Sequence, residues 1–180
     1  KLMCVVTNLK KGRIMNKITK AKEIAIQVHS DQVDKKNYPY LAHVYDVAKR
    51  VSKLGESYEI VGLLHDAIED ASPDEFKEHI VSEIIEYFDD EIYLAILAMS
   101  KTKGEDYFEE YLPKVKANQI ALNVKIADAS HNLSKAHLIE DQDLQDKLRN
   151  KYVKALNELG VDGRECEKPI RFFKGEWQEI

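Results

Sequence analysis

The sequence predicts an all-α fold built as a single domain. Apolar residues recur at helical spacing along most of the chain, as at Ile18, Ala21, Ala25 and Val28, and hardly any stretch alternates with the period of two that is typical of strands. The chain has 180 residues, of which 44% are hydrophobic and 33% charged. This length and composition suit one domain with a sizeable core. We therefore expect a helical bundle.

The first helices are predicted from their apolar stripes and boundary residues. The stripe that starts at Ile18 marks the first helix. The second follows Pro39, a residue suited to the first turn of a helix, and stops near Gly55. A central helix is predicted over residues 57–69. Ser72-Pro73-Asp74-Glu75 is typical of the next helix start, with Ser72 as the cap.

The remaining helices continue the same pattern. Asp89-Asp90-Glu91 indicates a helix start, because it places negative charge at the positive end of the helix dipole. The last long helix is predicted to end before Gly160. The apolar stripes that define these helices span residues 80–88, 92–99, 107–127 and 144–159.

Composition and charge narrow the functional classes. A net charge of −5 argues against general binding of nucleic acids, for which a basic face is expected. No apolar run approaches ~18 residues, so no membrane span is predicted. Cys4 and Cys166 form no CxxC pair and no disulfide framework. These features predict a cytoplasmic protein.

The most informative segment is Gly62–Asp70, with the sequence GLLHDAIED. His65, Asp66, Glu69 and Asp70 are expected on one helix, where they span about 140° of its surface. The flanking residues are apolar, so much of this helix should be buried. A buried histidine beside three carboxylates is costly unless a cation neutralises them. The segment therefore predicts a divalent metal.

Two further segments supply candidate ligands. His43 lies in the first turns of the second helix, and Asp128 and Asn132 lie at i and i+4 on one helix face. Together with His65 and Asp66, His43 and Asp128 give two imidazoles and two carboxylates. This mixed set suits Mn²⁺, Fe²⁺ or Zn²⁺, and the spacing does not choose among them.

The order of these motifs resembles the HD phosphohydrolase superfamily, and within it the hydrolase domain of RelA/SpoT proteins and small stand-alone alarmone hydrolases. The resemblance covers about residues 17–160. It implies an HD-domain helical bundle and a Mn²⁺-dependent hydrolase that removes the 3′-pyrophosphate of guanosine tetra- or pentaphosphate. The matching stretches are residues 25–32, 39–48, 63–70, 99–107 and 124–132.

The resemblance also implies a role for each candidate residue. The family's metal ligands are matched by His43, His65, Asp66 and Asp128. The acidic pair that orients or deprotonates the attacking water is matched by Glu69 and Asp70. Residues that contact the nucleotide are matched by Lys35 and Asn132. Two neighbouring carboxylates are expected to titrate apart, which leaves one of them able to hold a proton near neutrality.

The chain departs from the family at two places. The family usually carries a basic residue soon after the glutamine at Gln32, where this chain has Val33 and Asp34, and often a basic residue after Asp128, where it has Ala129. Both changes remove positive charge expected to meet a nucleotide. Other cations are available as candidate phosphate contacts, namely Lys35, Lys36, Lys101, Lys103 and Lys125.

The two ends of the chain are expected to differ from the domain. Residues 1–14 show no helical period and no signal-peptide pattern, and we interpret them as an upstream or expression-derived extension. The HD domain is predicted over residues 15–160. Residues 161–180 form a tail rich in aromatic residues, for which packing on the domain, a lid over the site and a dimer contact all stay open.

Three functions stay open for the chain. The first is an alarmone pyrophosphohydrolase, the second an HD phosphohydrolase acting on another nucleotide or phosphoester, and the third a metal- or nucleotide-binding module without catalysis. The presence of Glu69 and Asp70 favours catalysis. The expected partner is a small-molecule nucleotide, and a homo-oligomer stays open. His131 is a further candidate to face the pocket, whereas His29, His79 and His137 receive no role.

Overall fold

The structure, a computed structural model, describes residues 16–180. This range is mostly helical, and its helices pack around a large apolar core, which confirms the predicted all-α bundle. The predicted extension over residues 1–14 lies outside the described residues. The helices are α1 (Lys17–His29), α2 (Tyr40–Val51), α3 (Glu56–Leu64), α4 (Ala67–Asp70), α5 (Asp74–Tyr87), α6 (Asp90–Met99), α7 (Leu112–Lys116), α8 (Gln119–Ser134) and α9 (Gln142–Glu158).

Short segments of tighter or wider helix join some of these elements. A 3₁₀ turn over Ser52–Leu54 extends α2 as far as Gly55, whose φ of 135° is open to glycine rather than to other residues. A π-helical turn over Tyr107–Tyr111 precedes α7, and a 3₁₀ turn over Ala136–Leu138 follows α8. No helix within residues 16–180 combines the length and the apolar character needed to cross a membrane.

Helices α2 and α3 pack closely at Gly62. A Cβ atom built on Gly62 would lie 2.7 Å from the Cα atom of Ala48, a separation that real Cβ contacts do not show. The absence of a side chain at residue 62 therefore lets the two backbones approach. This approach sets His43 of α2 beside His65, the residue that follows α3.

We expect the Gly62→Ala substitution to destabilise the protein. Helix propensity alone would make alanine stabilising by about 1 kcal/mol, but the clash with the Ala48 backbone should outweigh it and cost about 1–3 kcal/mol net. The melting temperature should fall by roughly 2–12 °C. Thermal unfolding followed by circular dichroism measures this change. A melting temperature equal to or above that of the parent would show that α2 and α3 can move apart without a loss of stability.

The predicted central helix over residues 57–69 is interrupted, so the prediction of one continuous helix was wrong. Helix α3 ends at Leu64, His65 and Asp66 form a turn, and α4 begins at Ala67. The His65 ring donates from Nδ1 to the carbonyl oxygen of Gly62 at 2.8 Å. In a continuous helix that carbonyl would accept from the N–H of Asp66. The imidazole thus competes with the backbone for one acceptor, and the helix breaks there.

The predicted cap of α5 was also wrong in its detail. Pro73, and not Ser72, occupies the N-cap position, and no side chain caps this helix. The N–H groups of Phe76 and Lys77 bond instead to the carbonyl oxygen of Pro73. At the next helix, α6 begins at Asp90 with Asp90 and Glu91 in its first turn, as the acidic pattern predicts.

The aromatic tail contains a β-hairpin that the helical pattern did not predict. Strand β1 (Ile170–Phe173) pairs antiparallel with β2 (Glu176–Glu179). The two turn residues, Lys174 and Gly175, both have positive φ (51° and 86°), which is the geometry of a type I′ turn. Strand β2 packs against α2, and Trp177 is only 6% exposed. The Lys-Gly pair between two short aromatic stretches was the available signal.

Candidate metal centre

The four predicted ligand residues meet where α2, α8 and the turn after α3 converge. Ligand atoms of His43, His65 and Asp66 all lie within 4.8 Å of one another. The Oδ1 atom of Asp128 lies 3.3 Å from Nε2 of His43. His43, His65 and Asp128 are buried, and Asp66 is partly exposed. The structure therefore brings together residues that are 85 positions apart in sequence, from 43 to 128.

The orientation of His65 fits a divalent cation. Because its Nδ1 donates to the Gly62 carbonyl, the neutral ring carries a lone pair on Nε2. That Nε2 is buried without a hydrogen-bond partner and lies 3.0 Å from Oδ2 of Asp66. A lone pair and a carboxylate oxygen at this distance repel each other unless positive charge is supplied. Two imidazoles and two carboxylates are a donor set that divalent transition ions accept.

The pKa of His65 also shows that this position favours positive charge. Burial alone would lower its pKa, but the neighbouring carboxylates Asp66 and Asp128 outweigh burial and raise the pKa of His65 to about 9. The carboxylates therefore attract either a proton or a metal ion to this position.

Asp128 is held ionised by its own neighbours. Burial would raise its pKa, but the ammonium group of Lys125 and the ring of His43 hold the pKa of Asp128 well below its usual range. Lys125 Nζ lies 2.8 Å from Oδ2, and the amide of Asn132 donates to Oδ1 at 2.6 Å. Lys125 and Asn132, both predicted to contact substrate, thus also orient a candidate ligand.

Tyr40 is a site residue that the sequence pattern did not single out. Its hydroxyl donates to Oδ2 of Asp66 at 2.6 Å. Tyr40 precedes His43 by three positions on α2, so the two side chains lie on one helix face. That i, i+3 spacing was the signal that could have identified it.

The acidic pair Glu69 and Asp70 is divided between two environments. Glu69 is exposed beside Asp66, and its Oε2 accepts from the backbone N–H of Lys101 at 2.9 Å. Asp70 is half-buried, with Oδ2 3.7 Å from Nδ1 of the buried His29. Burial first, and then the negative charges of Asp66 and Glu69, raise the pKa of Asp70 to about 6. The raised pKa lets Asp70 hold a proton closer to neutrality than an ordinary carboxyl does.

We expect Asp70→Asn to change the pH dependence of stability in the metal-free protein. The pKa of Asp70 is higher in the folded chain (about 6) than its ordinary value of 3.8, so the parent loses stability as the pH rises from 4 through about 6. That difference in pKa corresponds to a change in stability of about 3 kcal/mol. Because the Asp70 side chain is 34% exposed, solvent screening reduces the expected change to about 1.5 kcal/mol. The free energy of unfolding of the variant, relative to that of the parent, should therefore rise by about 1.5 kcal/mol between pH 4 and pH 7.5.

Urea unfolding in the presence of a chelator measures this change. The substitution Asp143→Asn, at an exposed position in the first turn of α9, is the matched control. An Asp70→Asn variant that keeps a constant stability difference from the parent across this range would contradict the prediction.

Two neighbouring clefts lie beside the His/Asp cluster. The inner cleft, of about 310 Å³, is lined by the carboxylates Asp66, Glu69 and Asp128 and by cations and aromatic rings: Lys101, Tyr107, Tyr111, Lys125 and Lys151. The outer cleft, of about 350 Å³, is lined by Val33, Asp34, Lys35, Lys36, Tyr38, Lys135, Ala136, Leu138, Ile139 and Leu148. Tyr40, Asn132 and Tyr152 line both clefts, which are therefore adjacent.

The predicted substrate residues are distributed over these clefts. Lys35 lies in the outer cleft, whereas Asn132 lines both clefts and donates to the candidate ligand Asp128. Of the other candidate lysines, Lys36 lines the outer cleft, Lys101 and Lys125 line the inner one, and Lys103 lines neither. Lys151 of α9 lines the inner cleft and was not predicted.

The two departures from the family pattern have different consequences. Ala129 is fully buried against Leu133 and Leu156, so that position faces α9 and removes no charge from the clefts. Val33 and Asp34 do line the outer cleft. There the carboxylate of Asp34 pairs with Lys135 at 3.1 Å. The outer cleft thus carries one neutralised lysine in addition to Lys35 and Lys36.

Fold and site together define the class of the protein: a helical bundle that gathers a His-Asp doublet, a second histidine and a distant aspartate, as expected for an HD-type domain. Comparison with known proteins agrees with this class and confirms the resemblance to RelA/SpoT-type hydrolase domains. No family model matches the chain.

The similar proteins come from bacteria and from a metazoan. The chain is 29% identical over 178 residues to a GTP pyrophosphokinase of Myxococcus xanthus, and 31% identical over 162 residues to a guanosine-3′,5′-bis(diphosphate) 3′-pyrophosphohydrolase of Borreliella burgdorferi. These alignments cover 87% and 80% of this chain but 23% of each relative, so the chain spans about a quarter of their length.

A solved structure has the same fold. It belongs to a metazoan ortholog of SpoT that hydrolyzes ppGpp, and it matches with a TM-score of 0.65 and 19% sequence identity. The match covers 84% of this chain and 92% of the other. The bundle is therefore a fold that this metazoan protein shares over nearly its whole length.

Proposed function

We propose that the chain is a metal-dependent hydrolase that removes the 3′-pyrophosphate of ppGpp and releases GDP and pyrophosphate. The observation that carries the proposal is a buried His/Asp cluster opening directly onto a lysine-lined cleft. The printed activities of the Borreliella relative and of the metazoan ortholog support this choice of substrate. We also propose a cytoplasmic location. Within residues 16–180 Cys166 forms no disulfide, as expected for a thiol in a reducing compartment.

The metal would be held by His43, His65, Asp66 and Asp128, and we propose Mn²⁺, with Fe²⁺ and Zn²⁺ as alternatives. A divalent ion supplies Lewis-acid chemistry, in that it makes water more acidic and offsets the negative charge of a phosphoryl group. The carboxylates provide charge for the ion, and the imidazoles provide neutral donors. Tyr40 and Asn132 fix the carboxylates of Asp66 and Asp128 by donating hydrogen bonds to them.

The inner cleft suits the pyrophosphate that leaves. Lys101 and Lys151 face it and can each neutralise one negative charge of a diphosphate. Glu69 lies beside Asp66 at the rim of the same cleft, where its free carboxylate oxygen can accept a proton from the attacking water. Water adds to the phosphorus nearest the ribose, the bond from that phosphorus to the 3′ oxygen breaks, and the 3′ oxygen takes up a proton.

The outer cleft suits the nucleoside and its 5′-diphosphate. Tyr152 and the apolar side chains of Leu138, Ile139 and Leu148 offer surface for a base. Lys35 and Lys36 offer positive charge for phosphates at the same cleft. Since Tyr40, Asn132 and Tyr152 belong to both clefts, a nucleotide that carries phosphates on two sides can occupy them together.

Hydrolysis of ppGpp in the presence of Mn²⁺, with products separated by chromatography, tests the proposal. The expected products are GDP and pyrophosphate in equal amounts, and Fe²⁺ and Zn²⁺ compared under the same conditions identify the preferred metal. A nucleoside monophosphate serves as the reference substrate. Turnover of ppGpp no faster than that of the reference would reject the alarmone as substrate.

A second candidate function is hydrolysis of another nucleotide or phosphoester. It is favoured by Val33 and Asp34, which leave the outer cleft without a basic residue at positions where the related family usually has one. Parallel assays of nucleoside mono-, di- and triphosphates distinguish this candidate. Binding of nucleotide without turnover of any of them would indicate the third candidate, a module without catalysis.

A further inference from the structure

We propose that His131 is a positioning residue of the metal centre, which accepts a hydrogen bond from Nδ1 of His43 and so keeps Nε2 of His43 free to bind the ion. The inference rests on the proposed metal-dependent function. It assigns a role to a buried histidine that neither binds the ion nor lines either cleft.

The two histidine rings are joined through like atoms. Nδ1 of His43 lies 2.7 Å from Nδ1 of His131, a hydrogen-bonding distance, and both rings are buried. Two nitrogens this close share one hydrogen, because two N–H groups facing each other would repel. One ring must therefore donate and the other must accept.

The position of the other nitrogen of His43 decides which ring donates. Nε2 of His43 points into the ligand cluster, 3.3 Å from Oδ1 of Asp128. If His131 donated, a neutral His43 would carry its hydrogen on Nε2, where it would exclude a cation. If His43 donates, its Nε2 keeps the lone pair that a metal needs. Metal-ligating histidines commonly donate their other N–H to a fixed acceptor in this way.

A carboxylate lies behind His131 and supports the same assignment. With Nδ1 accepting, the neutral His131 ring carries its hydrogen on Nε2, which faces Oδ2 of Asp46 at 3.6 Å. Asp46 is in turn paired with Arg50 at 2.5 Å. His43, Asp46 and Arg50 lie at i, i+3 and i+7, on one face of α2. The helix thus presents both the ligand and a negative charge near Nε2 of His131, an atom that is buried without a hydrogen-bond partner.

The β-hairpin covers His131 from the other side. The indole ring of Trp177 packs edge-on against the His131 ring, with centroids 5.4 Å apart, and Tyr38 packs on the same indole at 5.0 Å. His131 has no exposed surface. Water is therefore kept from competing for the single hydrogen that the two rings share.

Mn²⁺ binding to the full chain, measured by calorimetry without substrate, tests the role of His131. We expect His131→Leu, which removes the acceptor, to weaken Mn²⁺ affinity about 10–100-fold. His131→Asn offers a carbonyl oxygen as acceptor and should stay within about threefold of the parent. His79→Leu, at an exposed position on α5, is the matched control and should leave the affinity unchanged. Thermal melts of the metal-free variants confirm that each is folded.

The nitrogen-15 spectrum of the Zn²⁺-loaded protein gives a readout that does not depend on activity. We expect the shared hydrogen on Nδ1 of His43, with a scalar coupling across the hydrogen bond to Nδ1 of His131. A hydrogen on Nδ1 of His131, or equal losses of affinity for His131→Leu and His131→Asn in folded proteins, would overturn the inference. A parent that binds no Mn²⁺ would overturn it as well. A parent that binds Mn²⁺ with the expected pattern but does not hydrolyse ppGpp rejects the proposed substrate alone.

Discussion

The Asp66→Asn substitution is expected to reduce hydrolysis of ppGpp by about 10³-fold or more, a loss of at least about 4 kcal/mol of transition-state stabilisation. Asp66 lies in one cluster with His43 and His65, and it also accepts a hydrogen bond from the hydroxyl of Tyr40. An amide in its place can still accept from the Tyr40 hydroxyl, so the fold should survive. It no longer supplies the negative charge that attracts the ion.

The same substitution should remove stabilisation by Mn²⁺. An ion that binds only the folded state adds about 2.7 kcal/mol at 100 times its dissociation constant, which raises the melting temperature of the parent by roughly 5–11 °C. The variant should show no such rise. Asp143→Asn is the matched control and should keep both the rise and the hydrolysis rate. A variant that retains the thermal shift would show that Asp66 does not bind the metal.

Glu69→Gln is expected to lower the rate about 10²–10⁴-fold, the usual contribution of a general base, while Mn²⁺ binding is retained. The amide oxygen of glutamine can still accept from the backbone N–H of Lys101, so the loop at residue 101 stays in place. What the substitution removes is the ability to take a proton from water. The effect should fall on kcat rather than on KM, because the substrate clefts are unchanged.

The control for Glu69 is Glu78→Gln, at an exposed position on α5, which should leave both constants unchanged. Steady-state kinetics with saturating Mn²⁺ and parallel thermal shifts separate loss of catalysis from loss of metal. An unchanged kcat in Glu69→Gln would remove Glu69 from the mechanism. The same measurement on Asp70→Asn would then determine whether the half-buried carboxylate performs that work.

The sequence predicted the bundle and the residues of the centre because both leave local patterns. The apolar spacing of α1, α2 and α9 reflects one buried face for each helix, and this is visible without any knowledge of its neighbours. The doublet His65-Asp66 stands out because polar residues interrupt an apolar run. The ordered motifs then relate it to His43 and Asp128, which the fold does bring together.

The features that escaped prediction depend on contacts between distant segments. The break in the central helix needs the His65 ring to take the Gly62 carbonyl, and nothing in the local spacing distinguishes that from a continuous helix. Tyr40 was an ordinary helix residue until α2, α8 and the turn after α3 were assembled. His131, a candidate to face the pocket, lies instead behind His43 and lines neither cleft. The hairpin contributes two strands of four residues, too short for a pattern of alternation to be distinctive.

The position of Trp177 in the sequence bears on the order in which the candidate metal centre is assembled during synthesis. Synthesis proceeds from the amino end, so the helices that carry the candidate ligands emerge from the ribosome before the hairpin and can begin to pack first. Until residue 177 has emerged, the ring of His131 lacks its indole cover and stays open to water. A nascent chain thus has its candidate ligands early, whereas the layer behind them is completed after them.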